Sequence, residues 1–281
     1  MKLDLAYLQA RTLLLPQYED VHIYLIGCGG SGGWLAPSIV RIAKVLQDKG
    51  TANVSVTFID PDQVEAKNVY RQNFCDAEAA QRVNKAETLA FRYGMAWGVE
   101  IQAIPQQFGR EHLTRRFANC EHLTVLVGAV DNAAARQTIA EAIDVVYHSA
   151  WWLDCGNDRH TGQILLGGHN HQEDDDPDCL ALPGYCTALP LPSVQHPELL
   201  VPAASDGAAP EISGLSCVDL AMMDYQSMTV NQKVAAEASD FLVRMLLTRN
   251  LQRFAVYFNL ESGSTRSVHI TEDNLQSAVA S

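Results

Sequence analysis

The stretch from Val21 to Gly33, VHIYLIGCGGSGG, constrains this chain more than any other. An apolar run, Ile23 to Ile26, breaks into glycines at Gly27, Gly29, Gly30, Gly32 and Gly33, and a hydrophobic pattern resumes at Trp34. That order predicts a buried parallel strand, a tight turn and a helix. The glycines let the backbone turn sharply and let its N–H groups approach a phosphate. The unpaired N–H groups of the helix start then face an anion. The turn therefore reads as a nucleotide-binding turn, a signal shared by many nucleotide folds.

The remaining chain alternates in the same way. A helix is predicted over Trp34–Leu46, with Pro37 early in it. Val54–Ile59 reads as a β-branched strand that ends at Asp60, where a nucleotide fold places its ribose acceptor. A polar segment, Val64–Phe74, follows. A helix is predicted over Asn84–Trp97, a strand over Val99–Ile104 and a short helix over His112–Phe117. His122–Val130 reads as a buried strand ending at Asp131, then a helix over Asn132–Val146 and strands at Trp151–Cys155 and Gly162–Gly167. This alternation predicts an α/β fold, a doubly wound, Rossmann-like, mostly parallel sheet. Ligands in such sheets lie beyond the carboxyl ends of the strands, where the glycine turn, Asp60 and Asp131 fall.

From residue 169 to 210 the pattern changes to a long irregular crossover loop with seven prolines and an acidic EDDD run. Residues 211–281 read as a C-terminal helical region, Val218–Arg249, closed by two strands, Phe254–Leu260 and Ser267–Ile270. Residues 1–20 read as a short helix or arm. The whole chain, 1–281, is expected to form one domain.

Composition narrows the function. The formal net charge is -13, from 20 Lys and Arg against 33 Asp and Glu. A broad nucleic-acid-binding face needs clustered basic residues and is not expected. Seven cysteines with no C-x-x-C pair fit neither a disulfide framework nor a zinc knuckle. No apolar run reaches membrane-spanning length and no signal peptide is visible. These features predict a soluble protein of the reducing cytoplasm.

Five pieces in order carry a more specific signal: GCGGSGG (Gly27–Gly33), FIDPDQVEAKNVYRQ (Phe58–Gln72), VNKAE (Val83–Glu87), AVDNAAAR (Ala129–Arg136) and SC…NQKVA (Ser216–Ala235). Together they resemble the ThiF/MoeB/ubiquitin-activating family, in particular the ThiF-like proteins of bacterial PRTRC operons. The resemblance implies a homodimer that binds ATP and Mg²⁺. It implies adenylation of the C-terminal carboxylate of a small ubiquitin-like or sulfur-carrier protein.

The same resemblance implies roles. Arg71 and Lys85 supply charge to the phosphates. Asn68, Gln72 and Asn132 join Gly27, Gly29, Gly30 and Gly32 around the nucleotide. Asp60 accepts from the ribose, Asp62 joins the nucleotide-binding set or only shapes the turn, and Asp131 holds Mg²⁺. Arg136 lies one turn into the following helix. An arginine finger in this family can come from either subunit.

Some relatives also pass the acyl group to a cysteine. Cys217, before the C-terminal helix, and Cys186, in GYCTALPLP, are the two candidates, each with a small buried hydrophobe as the alternative reading. Cys28 and Cys155 read as packing residues. Cys179, Cys186 and His196 could make an irregular metal site, though their spacing gives it no strong support. The alternatives to adenylation are a nicotinamide-dependent oxidoreductase, an inactive scaffold that binds a ubiquitin-like partner, and activation of a carboxylate on RNA, which the acidity disfavours.

Overall fold

The apolar run at Val21–Ile26 carries no polar alternation because both of its faces are covered. The computed structural model describes residues 5–50, 53–113, 121–144, 146, 148–170, 179–202 and 225–280. In chain order its strands and helices begin with β1 (Thr12–Leu13), β2 (Asp20–Ile26), α1 (Gly30–Asp48) and β3 (Asn53–Ile59). Next come α2 (Asp76–Gln81), α3 (Lys85–Trp97), β4 (Ile101–Ile104), β5 (His122–Gly128) and α4 (Ala133–Ile143). Then follow β6 (Ser149–Asn157), β7 (Thr161–His169), β8 (Tyr185–Cys186), β9 (Ala188–Leu189) and α5 (Pro192–Gln195). The chain closes with α6 (Tyr225–Leu242), β10 (Arg253–Asn259), β11 (Ser264–His269) and α7 (Glu272–Val279).

One sheet runs in the order β11–β10–β7–β6–β5–β2–β3–β4, with β9 on β7. Strands β2 to β6 are mutually parallel, while β7, β10 and β11 are antiparallel additions at one side. The chain steps from β2 to β3 and β4 in one direction, then returns to place β5 on the other side of β2. That reversal opens a crevice between the carboxyl ends of β2 and β5, the usual ligand position in such sheets.

Helices cover both faces. One core joins Leu35, Ile39 and Leu46 of α1 and Val234, Ala238 and Phe241 of α6 to the sheet; the other packs Ile139 and Ile143 of α4 on Tyr24, Leu126 and Trp152. Full burial of each Leu, Ile, Val or Phe among these contributes about 1.5–3 kcal/mol relative to exposure.

Helix α1 starts earlier than its apolar pattern, at Gly30, and passes through Pro37. A proline cannot donate to the carbonyl four residues back. Here the Asn73 side-chain amide donates to that Gly33 carbonyl at 3.1 Å, so the polar segment repairs the helix.

Several expectations are corrected. At the start expected for the helix His112–Phe117 there is a 3₁₀ turn, Arg110–His112, with Leu113 extended; the rest of that helix falls in residues 114–120, outside the described residues. The 169–210 segment is less irregular than its prolines suggest: its described part holds β8, β9 and α5. Strand β8 pairs in parallel with β1, so the N-terminal arm ties down this loop. The C-terminal helix is described from Tyr225 and ends in a π-helical turn, Val243–Leu247. Among the described residues no helix is long and apolar enough to cross a membrane.

Candidate nucleotide site

Gly27 leaves β2 at φ +90°, a backbone state that L side chains rarely adopt. Its N–H donates to the Ile59 carbonyl at 2.9 Å. A Cβ here would lie 2.5 Å from the Ala129 carbonyl oxygen, so β2 and β5 meet on bare backbone. Gly32 is tighter: its Cβ would lie 1.9 Å from the Gly27 carbonyl oxygen. No side chain caps the start of α1, whose N-cap is Gly29. The first N–H groups of the helix thus face the crevice with their partial positive charge.

Asp60 holds this turn in place. Its Oδ2 accepts the Cys28 N–H at 2.6 Å and its Oδ1 the Asp62 N–H at 2.8 Å. It is buried, and burial raises its pKa, opposed by those two N–H groups and by Lys85. Each carboxylate oxygen accepts one backbone N–H, so Asp60 buttresses the glycine turn. Cys28 is fully buried and burial pushes its thiol well up, as befits a packing residue.

Lys85 joins the same cluster. Asn84 caps α3 by accepting the Glu87 N–H, and its amide donates to the Asp60 and Asp62 carbonyls at 2.9 and 3.0 Å. The Lys85 N–H donates to the Asp62 carbonyl, and its ammonium pairs with Asp62 Oδ2 at 2.8 Å. The lysine side chain is only 7% exposed while that of Asp62 is 63% exposed. The cation is therefore desolvated and aimed, with its counter-charge at the surface.

The polar segment reaches the turn from another side. Asn68 is buried and its Oδ1 accepts the Glu65 N–H at 2.8 Å, closing a local turn. Gln72 lies over Gly29, with its amide 3.6 Å from where a Cβ would be. Its Oε1 is buried without a hydrogen-bond partner among the described residues. Arg71 has a buried Nε, and its carbonyl accepts from Trp34 Nε1 and Asn231 Nδ2 at 3.5 and 3.4 Å.

Three polar residues that the sequence reading did not single out complete the site. Ser31 donates to Asn157 Oδ1 and Asn231 Oδ1 at 3.3 and 3.2 Å, and the Asn157 amide donates to Asn231 Oδ1 at 3.1 Å. Asn231, on α6, sits against Gly30, where a Cβ would be 2.7 Å from its Nδ2. Ser31 lay in the glycine motif and Asn231 in the NQKVA piece; Asn157 carried no local signal.

Asp131 is exposed three residues past the end of β5, and Asn132 caps α4 by accepting the Ala135 N–H at 2.9 Å. Arg136 does not project outward. Its Nε donates to Asp154 Oδ1 at 3.1 Å, and NH2 donates to the Val130 carbonyl at 2.8 Å. Asp154 is fully buried, which raises its pKa against the pull of Arg136. Past β6, a cavity of about 590 Å³ opens, with Arg136 and Asn157 in its wall.

The cysteine expectations divide. Cys186 is buried and its thiol donates to the Ala188 carbonyl at 3.0 Å. Burial, with the neighbouring Cys179, pushes it up to about 12, the opposite of what an activated thiolate requires. Cys155 is buried and likewise pushed up. Cys217 lies outside the described residues.

Known proteins give the same picture of the fold. The chain superposes on E. coli MccB with AMPCPP and MccA at TM-score 0.53 and 13% identity, covering 90% of this chain and 64% of that one. E. coli MccB with ATP gives 0.50 and 14%, covering 94% and 67%. The microcin C7 biosynthetic enzyme MccB with N-formylated MccA gives 0.51 and 15%, covering 90% and 64%. This chain thus spans about two thirds of the MccB length, and at such identity the likeness is one of fold. No curated protein sequence matches significantly. The ThiF family model matches residues 9–186, well over half of the chain, and the chain belongs to the ThiF family.

Proposed function

We propose that this chain uses ATP to adenylate a carboxylate, that of the C-terminus of a small ubiquitin-like or sulfur-carrier protein. The observation that carries the reading is the uncapped start of α1, floored by glycine and flanked by the buried ammonium of Lys85. Family membership supports it, as does the fold shared with MccB, whose structures hold ATP or AMPCPP and MccA.

The chemistry follows from the groups. Attack of a carboxylate on the α-phosphate brings two anions together and builds charge on phosphate oxygens. Backbone N–H groups of α1 would hold the phosphates, and Lys85 and Arg71 would neutralise them. Gln72 offers an amide beside Gly29. Asp131, an exposed oxygen donor, fits a magnesium ion that it shares with phosphate oxygens. Among the described residues no cluster of three or more acids, histidines or cysteines could hold a metal alone. Magnesium would supply charge neutralisation at the phosphates. We propose one 1–281 unit, since the glycine turn is buttressed by α6 as well as by β3, and a homodimer on the family resemblance alone. A relay through Cys186 forms no part of the reading.

The nicotinamide alternative leaves the Asn68–Gln72 segment, the buried Lys85 and Asp131 without a role.

The test is ATP–pyrophosphate exchange with small acceptor proteins, followed by intact-mass analysis of the acceptor. Arg71→Ala, Lys85→Ala and Asp131→Ala should each lower exchange by about 10²-fold or more while leaving the fold intact. Wild-type exchange rates in all three would remove the assignment.

A further inference from the structure

The cavity past β6 is floored by one row of residues across four adjacent strands, three of which carry side chains. Gly156 of β6 stands opposite Gln163 of β7, Gln163 opposite Tyr257 of β10, and Tyr257 opposite Arg266 of β11. Residues directly opposite in antiparallel pairs share a face. All four line the cavity. Its inner wall includes Asn157, which is also bonded to Ser31 of α1, so the cavity adjoins the glycine turn.

Tyr257 is held in this row by two further groups. Its hydroxyl lies 2.6 Å from His196 Nε2, and His196 Nδ1 lies 2.7 Å from Glu198 Oε1. An ionised carboxylate only accepts hydrogen bonds, and the bond to His196 holds the Glu198 pKa below its ordinary value. The proton of a neutral imidazole therefore sits on Nδ1, and Nε2 is left as an acceptor. The tyrosine O–H must donate to it. Its proton is turned away from the cavity and its oxygen lone pairs remain as acceptors. On the next strand Arg266 offers only donors. An acceptor beside a donor fork matches the alternating N–H and C=O of a peptide backbone.

We propose that Tyr257 is a substrate-recognition residue that accepts a backbone N–H near the C-terminal carboxylate of the acid substrate, and that His196 and Glu198 are its positioning residues. This rests on the adenylation reading and names the acceptor contact within it. A carboxylic acid without an amide N–H near its carboxylate lacks the donor that Tyr257 is set to receive.

The probe is a set of synthetic hexapeptide acids, assayed by ATP–pyrophosphate exchange at mildly alkaline pH. The best peptide is then remade with its amide links nearest the carboxylate replaced by esters, which removes those N–H groups. The wild type should lose about tenfold in kcat/KM on the ester, through KM, the size expected for one hydrogen bond. Tyr257→Phe should lose about as much on the amide and nothing further on the ester. His196→Ala, which keeps the tyrosine, should also lose the discrimination. Exchange with equal efficiency on amide and ester in the wild type overturns this inference and leaves adenylation standing. So does a Tyr257→Phe variant that still discriminates. Exchange with neither peptides nor small acceptor proteins overturns both. Circular dichroism of the variants separates loss of recognition from loss of fold.

Discussion

A Cβ built on Gly32 would sit 1.9 Å from the carbonyl oxygen of Gly27, and the atom in the way is backbone. A backbone atom cannot rotate aside as a side chain can. Gly32→Ala should therefore destabilise the protein by about 1–3 kcal/mol, read as a lower denaturant midpoint. Gly29 is the internal control: its Cβ would meet only the Gln72 amide at 3.6 Å, an ordinary contact. Gly29→Ala should keep the midpoint near wild type. Arg136 gives a second test at this scale. Its partner Asp154 is fully buried, and removing one member of a buried pair strands the other charge. Arg136→Ala should cost about 3–5 kcal/mol, and the double change Arg136→Met with Asp154→Leu should recover part of it. A small loss in the single variant would show that Asp154 is held neutral instead.

Among elements, α6 has two jobs on two sides. Val230, Val234, Ala238 and Phe241 bury its apolar stripe, while Asn231 reaches the glycine turn. Asn231→Leu should keep the helix packed yet weaken ATP binding about tenfold, measured by calorimetric titration, because Ser31 and Arg71 lose their shared partner. Unchanged affinity would make Asn231 a packing residue only. These two jobs also mark what could be read from residues alone. The buried strands β2, β3 and β5 were legible as apolar or β-branched runs, and α3 from Asn84 and its periodicity. Strands β1, β8 and β9 have two residues each, too few for any period. The start of α1 was hidden because glycines carry no hydrophobic signal. The antiparallel direction of β7 leaves no trace in composition. Of the site, the glycines, Asp60, Asp62 and Lys85 were legible because they lie at strand or helix ends. Asn231 and Asn157 were not, since their contacts join residues 200 and 126 positions apart in sequence. The hold of Asp60 on the Cys28 N–H was hidden for the same reason, since the two residues lie 32 positions apart in sequence.

At the level of the whole molecule, acid should find its weak point far from the glycine turn. His22 and His122 are buried toward the amino ends of β2 and β5, and burial lowers both to about 4, with His122 adding to the effect on His22. Their folded values lie below the ordinary histidine value of 6.5. Between these values the unfolded chain binds more protons, so stability is full above about pH 6.5 and falls as pH drops toward 4. Denaturation midpoints across that window should fall, and His22→Gln should shallow the slope; parallel curves for the two proteins would refute the assignment. The buried carboxylates of Asp60 and Asp154, raised by desolvation, pull in the opposite sense, and the comparison of the two proteins cancels them. The position of α6 late in the chain has a consequence for synthesis. Chains emerge from the ribosome amino end first, and the strand with the glycine turn appears early. The asparagine that braces this turn arrives only with α6, some 200 residues later. A half-made chain thus has the loop without its brace, and the proposed nucleotide site is complete only once α6 has emerged.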